Sequence, residues 1–431
     1  MFKHMLLLLK HRRTLCSLVV VLLCGTLLMD GQLLLLTRSP NSRLFQNSSH
    51  KYSWSTVSVT CSPRTNIAFL KNHKCASTAI QNILFRYGYK HNLKFALPEK
   101  RNFFGTGLEN FRAEMVLSST LNKLQPNIFA IHTKWNHTEV KKVMPANTVF
   151  FTIVREPIAL FEAFFAFSRA KKRTGLTLEQ YIREVPVDEK RTGLFHYNTM
   201  AWDFGMPEEK LNNLTDIWDM VMQADEQFGL VMVVERMEES LVLMADYLCW
   251  ELSDVLVLDL NSLRSKFKKP LQQELKNILQ KKLAPDYLIY RHFLKKFDQQ
   301  VEAYGRGRMA AAVSRLREMM ALLMDLCSFV RKNASQLAGK YRPTSNKVEG
   351  FKTKGDMCSL YTLPELSFLS LLRQKQRKDI IISKTNTKPT SKVPPKTTAW
   401  PSKSSELTSR GYNNSPESNQ LTHLLSPSLG Y

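Results

Sequence analysis

The chain has 431 residues, 44% of them hydrophobic and 23% charged, which is typical of a globular protein with a sizeable core. The length fits one large domain or two ordinary ones, and the composition excludes a wholly disordered chain. Lysine and arginine exceed the acidic residues by 24, so we expect polyanionic partners: nucleotides, nucleic acid, acidic glycans or anionic membrane surfaces.

An apolar segment at residues 14–36 predicts a signal-anchor transmembrane helix, because it is just long enough to span a bilayer. The basic residues of the preceding tail, 1–13, place that tail in the cytosol and the rest of the chain in the lumen. A cleaved signal peptide is the alternative, but no small-x-small cleavage site follows the apolar core. Polar residues 37–63 are expected to form a luminal stem. A luminal chain does not meet nucleic acid, which excludes that partner.

Asn-x-Ser/Thr sequons fit a luminal chain, because they accept N-linked glycans there. They begin at Asn47, Asn136, Asn213, Asn333 and Asn413. The cysteines beyond the apolar segment are Cys61, Cys75, Cys249, Cys327 and Cys358. They allow at most two disulfides, and we favour Cys327 with Cys358, which would tie down the C-terminal segment. Neither a CxxC pair nor a Cys/His cluster has zinc spacing in the sequence, so no metal is expected.

Short apolar runs alternate with helical patterns along the middle of the chain. Buried strands are predicted at 66–70, 148–154 and 228–234. A helix opens at Thr78 after the first strand, and another runs through 239–247 after the third. This alternation indicates an α/β fold with a central parallel sheet flanked by helices, in which ligands bind at the carboxyl ends of the strands.

The folded domain is expected to span residues 64–376. Residues 309–332 predict one long amphipathic helix, used for packing or for self-association as a homodimer. Residues 377–431, rich in Lys, Ser, Thr and Pro, predict a disordered basic and polar tail. The basic stretch 264–269 is interpreted as a solvated turn, with closure over a bound anion as the alternative.

The loop after the first predicted strand has the chemistry of an anion site. It joins a strand to a helix, where backbone N–H groups and the helix dipole attract anions. Lys71 and Lys74 add positive charge, and Ser77 and Thr78 add hydroxyl donors. An ordinary basic turn is the alternative. The G-x-x-x-x-G-K pattern is absent, which excludes a Walker A kinase.

A second candidate anion site follows the next predicted strand. Arg155 lies at the end of that strand, ahead of Pro157, which suits the first turn of a helix. The guanidinium can bind a phosphate with two hydrogen bonds, or it can pair with Glu156. Two anion sites at neighbouring strand ends favour the first interpretation.

These two segments resemble the 5′-phosphosulfate loop and the 3′-phosphate strand of sulfotransferases that use the donor PAPS (3′-phosphoadenosine 5′-phosphosulfate). More narrowly, the chain resembles the galactose 3-O-sulfotransferases, whose loop reads roughly FLKTHKTASST ahead of a helix like NILFRF. The corresponding stretches here are Phe69–Thr78 and Asn82–Tyr87. Further similar segments follow in order at 91–98, 201–205, 239–243, 248–256, 290–293 and 363–366. Within the family, 249–252 and 303–309 are most similar to galactosylceramide sulfotransferases.

The resemblance implies a P-loop-like sulfotransferase fold, the Golgi membrane as location, PAPS as donor and no metal. By the same resemblance, Lys74 stabilises the leaving 5′-phosphate, and Lys71, Ser77 and Thr78 hold the phosphosulfate. Arg155 binds the 3′-phosphate.

A sugar hydroxyl needs a base to become a good nucleophile, and histidine suits that task near neutral pH. By the resemblance, His132 is the expected base and His73 a second polar group near the sulfonate. The expected acceptor is the 3-hydroxyl of galactose on galactosylceramide or a related glycolipid. The alternatives are galactose-terminated glycoprotein glycans, or a catalytically weakened Golgi protein that binds glycans.

The chain departs from the family pattern at several positions. Ala163 stands where the family usually has a serine that would hydrogen-bond the 3′-phosphate. The loss of such a bond is expected to weaken donor binding by roughly 1.5–3 kcal/mol. Asn72 and Cys75 replace threonines of the loop, and Lys134 and Trp135 replace the Arg and Phe that usually follow the expected base.

Overall fold

The computed structural model describes residues 61–386 except 118–122, 169, 190–194, 259–270, 344 and 346–347. The predicted anchor, nearly all of the stem, the basic stretch 264–269 and residues 387–431 lie outside the described residues. Within the described ranges, none of the helices is both long enough and apolar enough to cross a membrane.

Four parallel strands form the main sheet in the order β2–β1–β3–β4. They are β1 (Ile67–Leu70), β2 (Ile128–Phe129), β3 (Val149–Val154) and β4 (Leu230–Val233). Most of their residues are apolar and buried, as in parallel strands covered by helices. The predicted α/β fold with a central parallel sheet is confirmed. β2 was not predicted, because two residues are too few to show a periodicity.

Helices follow the strands and flank the sheet. Those of the N-terminal half are α1 (Ser77–Lys90), α2 (Glu114–Leu117), α3 (His137–Val143), α4 (Pro157–Phe167), α5 (Ala170–Thr174), α6 (Leu178–Glu184) and α7 (Thr199–Asp203). Those of the C-terminal half are α8 (Leu214–Gln227), α9 (Met237–Leu248), α10 (Gln273–Lys282), α11 (Ala284–Tyr304), α12 (Arg306–Cys327), α13 (Asp356–Thr362) and α14 (Glu365–Asn386). Helices α9 and α11 pack against β4, and α14 packs against α1.

The helix predicted at 309–332 is wrong at both ends. Helix α12 starts earlier, at Arg306, and stops at Cys327, where Ser328 takes a left-handed backbone conformation with φ 46°. Residues 330–333 instead form strand β5 (Val330–Asn333), which pairs antiparallel with β6 (Glu349–Lys352). Pairing with a distant strand outweighs the local helical pattern, and a sequence window does not contain that partner.

The C-terminal segment is tied to the domain as expected. The predicted disulfide between Cys327 and Cys358 is confirmed and joins the end of α12 to α13. Among the described cysteines, Cys75 is the free thiol, and it is buried.

Helix α14 continues through 377–386, which were predicted to begin a disordered tail. Its side chains are held by the start of the domain: Asp379 pairs with Lys94 at 2.5 Å, and Gln376 accepts from the Phe95 N–H at 2.8 Å. These contacts hold the helix through Asp379, whereas composition alone predicts disorder from residue 377.

Two hydrophobic clusters support the carboxyl edge of the sheet. The larger one surrounds the four strands. The smaller one is rich in aromatic residues, lies between α4, α6 and α10, and includes Phe161, Phe164, Tyr181 and Tyr197. Phe164 is buried in this cluster and also stacks on His73, so the cluster fixes one wall of the site described next.

Candidate functional site

The loop from β1 to α1 presents an uncapped helix N-terminus. Lys74 and Ala76 both have left-handed backbone conformations, with φ 56° and 51°. Ala76 is the N-cap residue and makes no side-chain cap, and the first turn of α1 contains no acidic residue. The first N–H groups of a helix lack intrahelical partners, and they carry the positive end of the helix dipole. The chemistry of this end of α1 suits an anion, and the anion site stays a prediction.

Lys71 lies buried at the centre of the site, with 1% of its surface exposed. Its Nζ lies 2.7 Å from His132 Nε2, 3.4 Å from Glu365 Oε2 and 3.4 Å from Thr78 Oγ1. Burial lowers the pKa of Lys71, and the attraction of Glu365 opposes this shift without cancelling it. One buried cation thus connects the loop, α1, α14 and the segment after β2.

His132 lies beside Lys71 rather than at the surface. As an ammonium, Lys71 can only donate, so Nε2 of His132 accepts and its proton lies on Nδ1. Within the described part of the chain, that Nδ1 is buried without a hydrogen-bond partner. Burial, and then the positive charge of Lys71, hold the pKa of His132 well below its ordinary value. This imidazole is neutral near pH 7.

His73 forms a dyad with Asp203. Its backbone N–H donates to Asp203 Oδ2 at 2.6 Å, and its Nδ1 lies 2.7 Å from Oδ1. A carboxylate can only accept, so it holds the imidazole proton on Nδ1 and leaves the Nε2 lone pair for another group. The ring is stacked between His132, at 4.4 Å, and Phe164, at 5.3 Å. The arrangement resembles the histidine–carboxylate pairs that orient catalytic bases.

Lys74 and Arg155 add two more cations to the same place. Burial, followed by repulsion from Lys71 and Arg155, lowers the pKa of Lys74 to about 7. Its Nζ lies 3.5 Å from the centre of the Phe167 ring, which offers a weak cation–π contact rather than a counter-charge. Arg155 donates from Nη1 to the Lys74 carbonyl at 2.8 Å, and its Nε is buried without a partner among the described residues.

The two hydroxyls predicted to hold an anion differ in their surroundings. Ser77 is buried, and its Oγ donates to the Asn72 carbonyl at 2.6 Å, so it closes the loop on itself. Thr78 is half-buried and accepts from Lys71. The predicted residues therefore lie together at the carboxyl edge of the sheet, with Ser77 turned toward its own backbone.

Two acidic residues of the site had no role predicted from the sequence. Asp203 lies in the 201–205 segment, and Glu365 lies in the 363–366 segment. Each was part of the family resemblance, but nothing local showed that it meets a basic residue of the loop. Their positions in otherwise apolar segments were the available signal.

Gly205 explains how the Asp203 segment reaches the site. It has φ 103°, and a Cβ there would lie 2.3 Å from the Trp135 carbonyl oxygen. The Trp135 N–H donates to the Asp203 carbonyl at 2.9 Å, so the two segments touch through their backbones. A glycine is required for this close approach, which brings Asp203 to His73.

The departures from the family pattern have structural partners. Asn72 donates to the Ile153 carbonyl at 2.8 Å and joins the loop to β3, and Cys75 is fully buried. Lys134 is buried with its Nζ 3.8 Å from the Trp202 ring centre. Ala163 is half-buried on α4. Asn72 and Cys75 therefore stabilise the loop, the first through its hydrogen bond to β3 and the second through its burial.

Comparison with known proteins identifies the family. The family model described as galactose-3-O-sulfotransferase matches residues 4–347. The chain belongs to the galactose-3-O-sulfotransferase family. It is 35% identical to human (Homo sapiens) galactosylceramide sulfotransferase over 276 residues, which cover 62% of this chain and 65% of that protein. The chain thus spans a little under two thirds of that relative.

Other members of the family are similarly related. Bovine (Bos taurus) galactose-3-O-sulfotransferase 3 is 32% identical over 343 residues, which cover 72% of this chain and 79% of that protein. Mouse (Mus musculus) galactose-3-O-sulfotransferase 2 is 32% identical over 286 residues, with 62% and 70% covered. The matches include relatives named for a glycolipid and relatives named only for galactose, so they do not select an acceptor.

Proposed function

We propose that this member of the galactose-3-O-sulfotransferase family transfers sulfonate from PAPS to the 3-hydroxyl of galactose on galactosylceramide or a related glycolipid. The proposal rests on one observation. Three cations and the His73–Asp203 pair lie together at the uncapped N-terminus of α1. The cations are Lys71, Lys74 and Arg155. The names of the relatives support the sulfonate and the galactose.

The residues present fit a donor with two separated anionic groups. Lys74 has a depressed pKa and only an aromatic ring beneath it, so an anionic group would restore its charge. The unpaired Nε of Arg155 and the open end of α1 offer further donors. We propose that Lys71, Lys74 and Thr78 hold the phosphosulfate in a P-loop-like manner and that Arg155 holds the 3′-phosphate. Ser77 would contribute mainly its backbone N–H.

The bound donor supplies an activated sulfonate and a phosphate leaving group. The chain must then remove one proton from the sugar hydroxyl, and two histidines are candidates. The sequence-based hypothesis places this base at His132. The geometry supports His73 better, because Asp203 leaves its Nε2 lone pair available, whereas Lys71 occupies the Nε2 of His132. We propose His73 as the base and His132 as the residue that positions Lys71.

Two alternatives share the same site. Galactose-terminated glycoprotein glycans would use the same donor and base, and some relatives are named without a lipid. A weakened, glycan-binding member of the family is favoured only by Ala163, which offers no hydroxyl to a phosphate. The retained cations and the His73–Asp203 pair argue against that alternative.

We also propose that the chain is a single-pass Golgi protein anchored through residues 14–36, with its enzymatic domain in the lumen. The apolar segment and the basic tail before it support this orientation. We also propose that the chain forms a homodimer.

A transfer assay tests the proposal directly. The full chain in detergent is incubated with PAPS labelled in the sulfonate, together with galactosylceramide, N-acetyllactosamine and a glucosylceramide control. We expect more transfer to galactosylceramide than to N-acetyllactosamine, and none to glucosylceramide. The reverse preference would favour the glycoprotein glycans. If none of the acceptors is labelled and PAPS does not bind, the proposed enzymatic function is wrong. Donor binding without transfer would favour the glycan-binding alternative.

Two histidine variants locate the base. His73→Ala should abolish turnover while leaving donor affinity nearly unchanged, because His73 does not contact Lys71. His132→Ala should weaken donor binding as well, since Lys71 loses its nearest partner. The opposite pattern would indicate that His132 is the base.

A further inference from the structure

Helix α8 presents an apolar stripe to solvent. Leu214 is 50% exposed, and Trp218 and Met222 are each 42% exposed. The spacing of four residues places them along one side of the helix. Trp218 also contacts His292 of α11 edge-on, at 5.5 Å. Three large exposed apolar side chains in a row form a patch of the kind that a ligand or partner often covers.

A cavity of about 580 Å³ opens at the N-terminal end of this stripe. Leu214, Leu288 and the Tyr287 ring give it apolar walls. Its polar groups are Asn277, Gln280 and two cations, Lys281 and Arg291. This mixture of apolar faces and hydrogen-bonding groups suits a carbohydrate, which has both. None of the residues assigned above to donor binding or proton transfer lines this cavity.

The charge on α8 argues against a membrane as the covering partner. The helix contains Asp216, Asp219, Asp225 and Glu226 and neither lysine nor arginine, although the chain as a whole has a net charge of +24. An acidic helix is repelled by the anionic lipids that attract basic surfaces. An uncharged ligand is compatible both with the acidic helix and with the two cations, Lys281 and Arg291, that line the cavity.

The residue directly before the stripe offers that ligand an attachment point. Asn213 begins an Asn-Leu-Thr sequon and is exposed, whereas the sequon residues Asn136 and Asn333 are half-buried. The Oδ1 of Asn213 caps α8 by accepting from the Thr215 and Asp216 N–H groups, at 3.0 and 3.4 Å. Glycosylation uses the other atom, Nδ2, so the cap and a glycan are compatible.

We propose that Asn213 carries an N-linked glycan whose innermost N-acetylglucosamine residues cover Leu214 and Trp218 and enter the adjoining cavity. The bond forms between Nδ2 and C1 of the first sugar. The C1–O bond to the pyrophosphate of a lipid-linked oligosaccharide breaks, Nδ2 loses a proton and the lipid pyrophosphate leaves. With a helical rise of about 1.5 Å per residue, Trp218 lies only about 7.5 Å along the axis from Asn213. The inference rests on the proposed luminal orientation.

Two substitutions at Thr215 test occupancy without removing the cap. Thr215→Ser retains the sequon, and Thr215→Val destroys it, while Asn213 stays in place in both. The full chain is expressed in secretory cells and analysed by glycopeptide mass spectrometry. We expect the glycan at Asn213 in wild type and Thr215→Ser, and its loss in Thr215→Val. An unmodified Asn213 beside a glycan at any other sequon overturns the proposal. Unmodified sequons throughout overturn it together with the luminal orientation.

A dye that fluoresces on apolar surfaces tests the covering role. Thr215→Val should bind several-fold more dye than Thr215→Ser, and adding Trp218→Ser to Thr215→Val should remove the excess. Equal dye binding by the two Thr215 variants refutes the cover. Quenching of Trp218 fluorescence by brominated phospholipid in proteoliposomes, absent in Trp218→Phe, would assign the stripe to the membrane and also overturn the proposal.

Discussion

The depressed pKa of Lys74 leads to a quantitative prediction about donor binding. In the free protein this pKa is about 7, because the ammonium is buried near Lys71 and Arg155. Below pH 7 the side chain is charged and ready to meet an anion. Above pH 7 the free protein must take up a proton when the donor binds, so the affinity falls as pH rises.

The magnitude follows from the fraction of Lys74 that is protonated. With a pKa of about 7, that fraction is about one half at pH 7 and about 1% at pH 9. If the bound donor keeps the ammonium charged, affinity falls about 50-fold over this range, or ~2.4 kcal/mol at 1.4 kcal/mol per tenfold change. The lowered pKa of Lys71 adds to the trend in the same direction.

Calorimetric titration with adenosine 3′,5′-bisphosphate, from pH 7 to pH 9, measures this effect without turnover. The second ionisation of a phosphate lies near pH 6, so the charge of the ligand stays constant in this window. Lys74→Arg is the matched control, because a guanidinium stays charged throughout. In this variant, the number of protons taken up when the ligand binds above pH 7 should fall by about one. A flat profile in wild type, or an equal slope in Lys74→Arg, would refute the reasoning.

Three further outcomes are expected. Asp203→Asn should lower kcat by about 10²–10⁴-fold, the range of general-base catalysis, because the amide no longer holds the His73 proton on Nδ1. Donor affinity should fall much less, through the weaker support of the Lys71 charge; an unchanged pH–rate profile would contradict this. Ala163→Ser should tighten binding of the bisphosphate by about 10-fold or more if α4 faces the 3′-phosphate, as titration would show. Cys358→Ser should lower the free energy of unfolding by roughly 2–4 kcal/mol, seen as a lower Tm, because it opens a loop with a sequence separation of 31.

Local sequence was enough for the features that depend on neighbouring residues. The strands predicted at 66–70, 148–154 and 228–234 are mostly apolar runs, and each overlaps an observed strand of the sheet. Pro157 begins α4 as expected, because its ring suits a first helical turn. The basic loop before α1 could likewise be predicted to attract anions from its charge and position alone.

Contacts between distant segments could not be predicted from local sequence. Strand β5 replaced the end of a predicted helix because β6 pairs with it, and α14 continued past 376 because Lys94 and Phe95 hold it. Neither partner lies within a local window of sequence. Such elements are stabilised by tertiary pairing, which outweighs local propensity.

By itself, the sequence determined which residues could do the chemistry: the lysines of the loop, Arg155 and the two histidines. Only the tertiary structure decided their partners, since it brought Asp203 to His73 through the close approach at Gly205 and set Lys71 between His132 and Glu365. The physical reason is that charge state and hydrogen bonding depend on burial and on neighbours within a few ångströms. The fold assembles those neighbours from segments 61 to 294 residues apart.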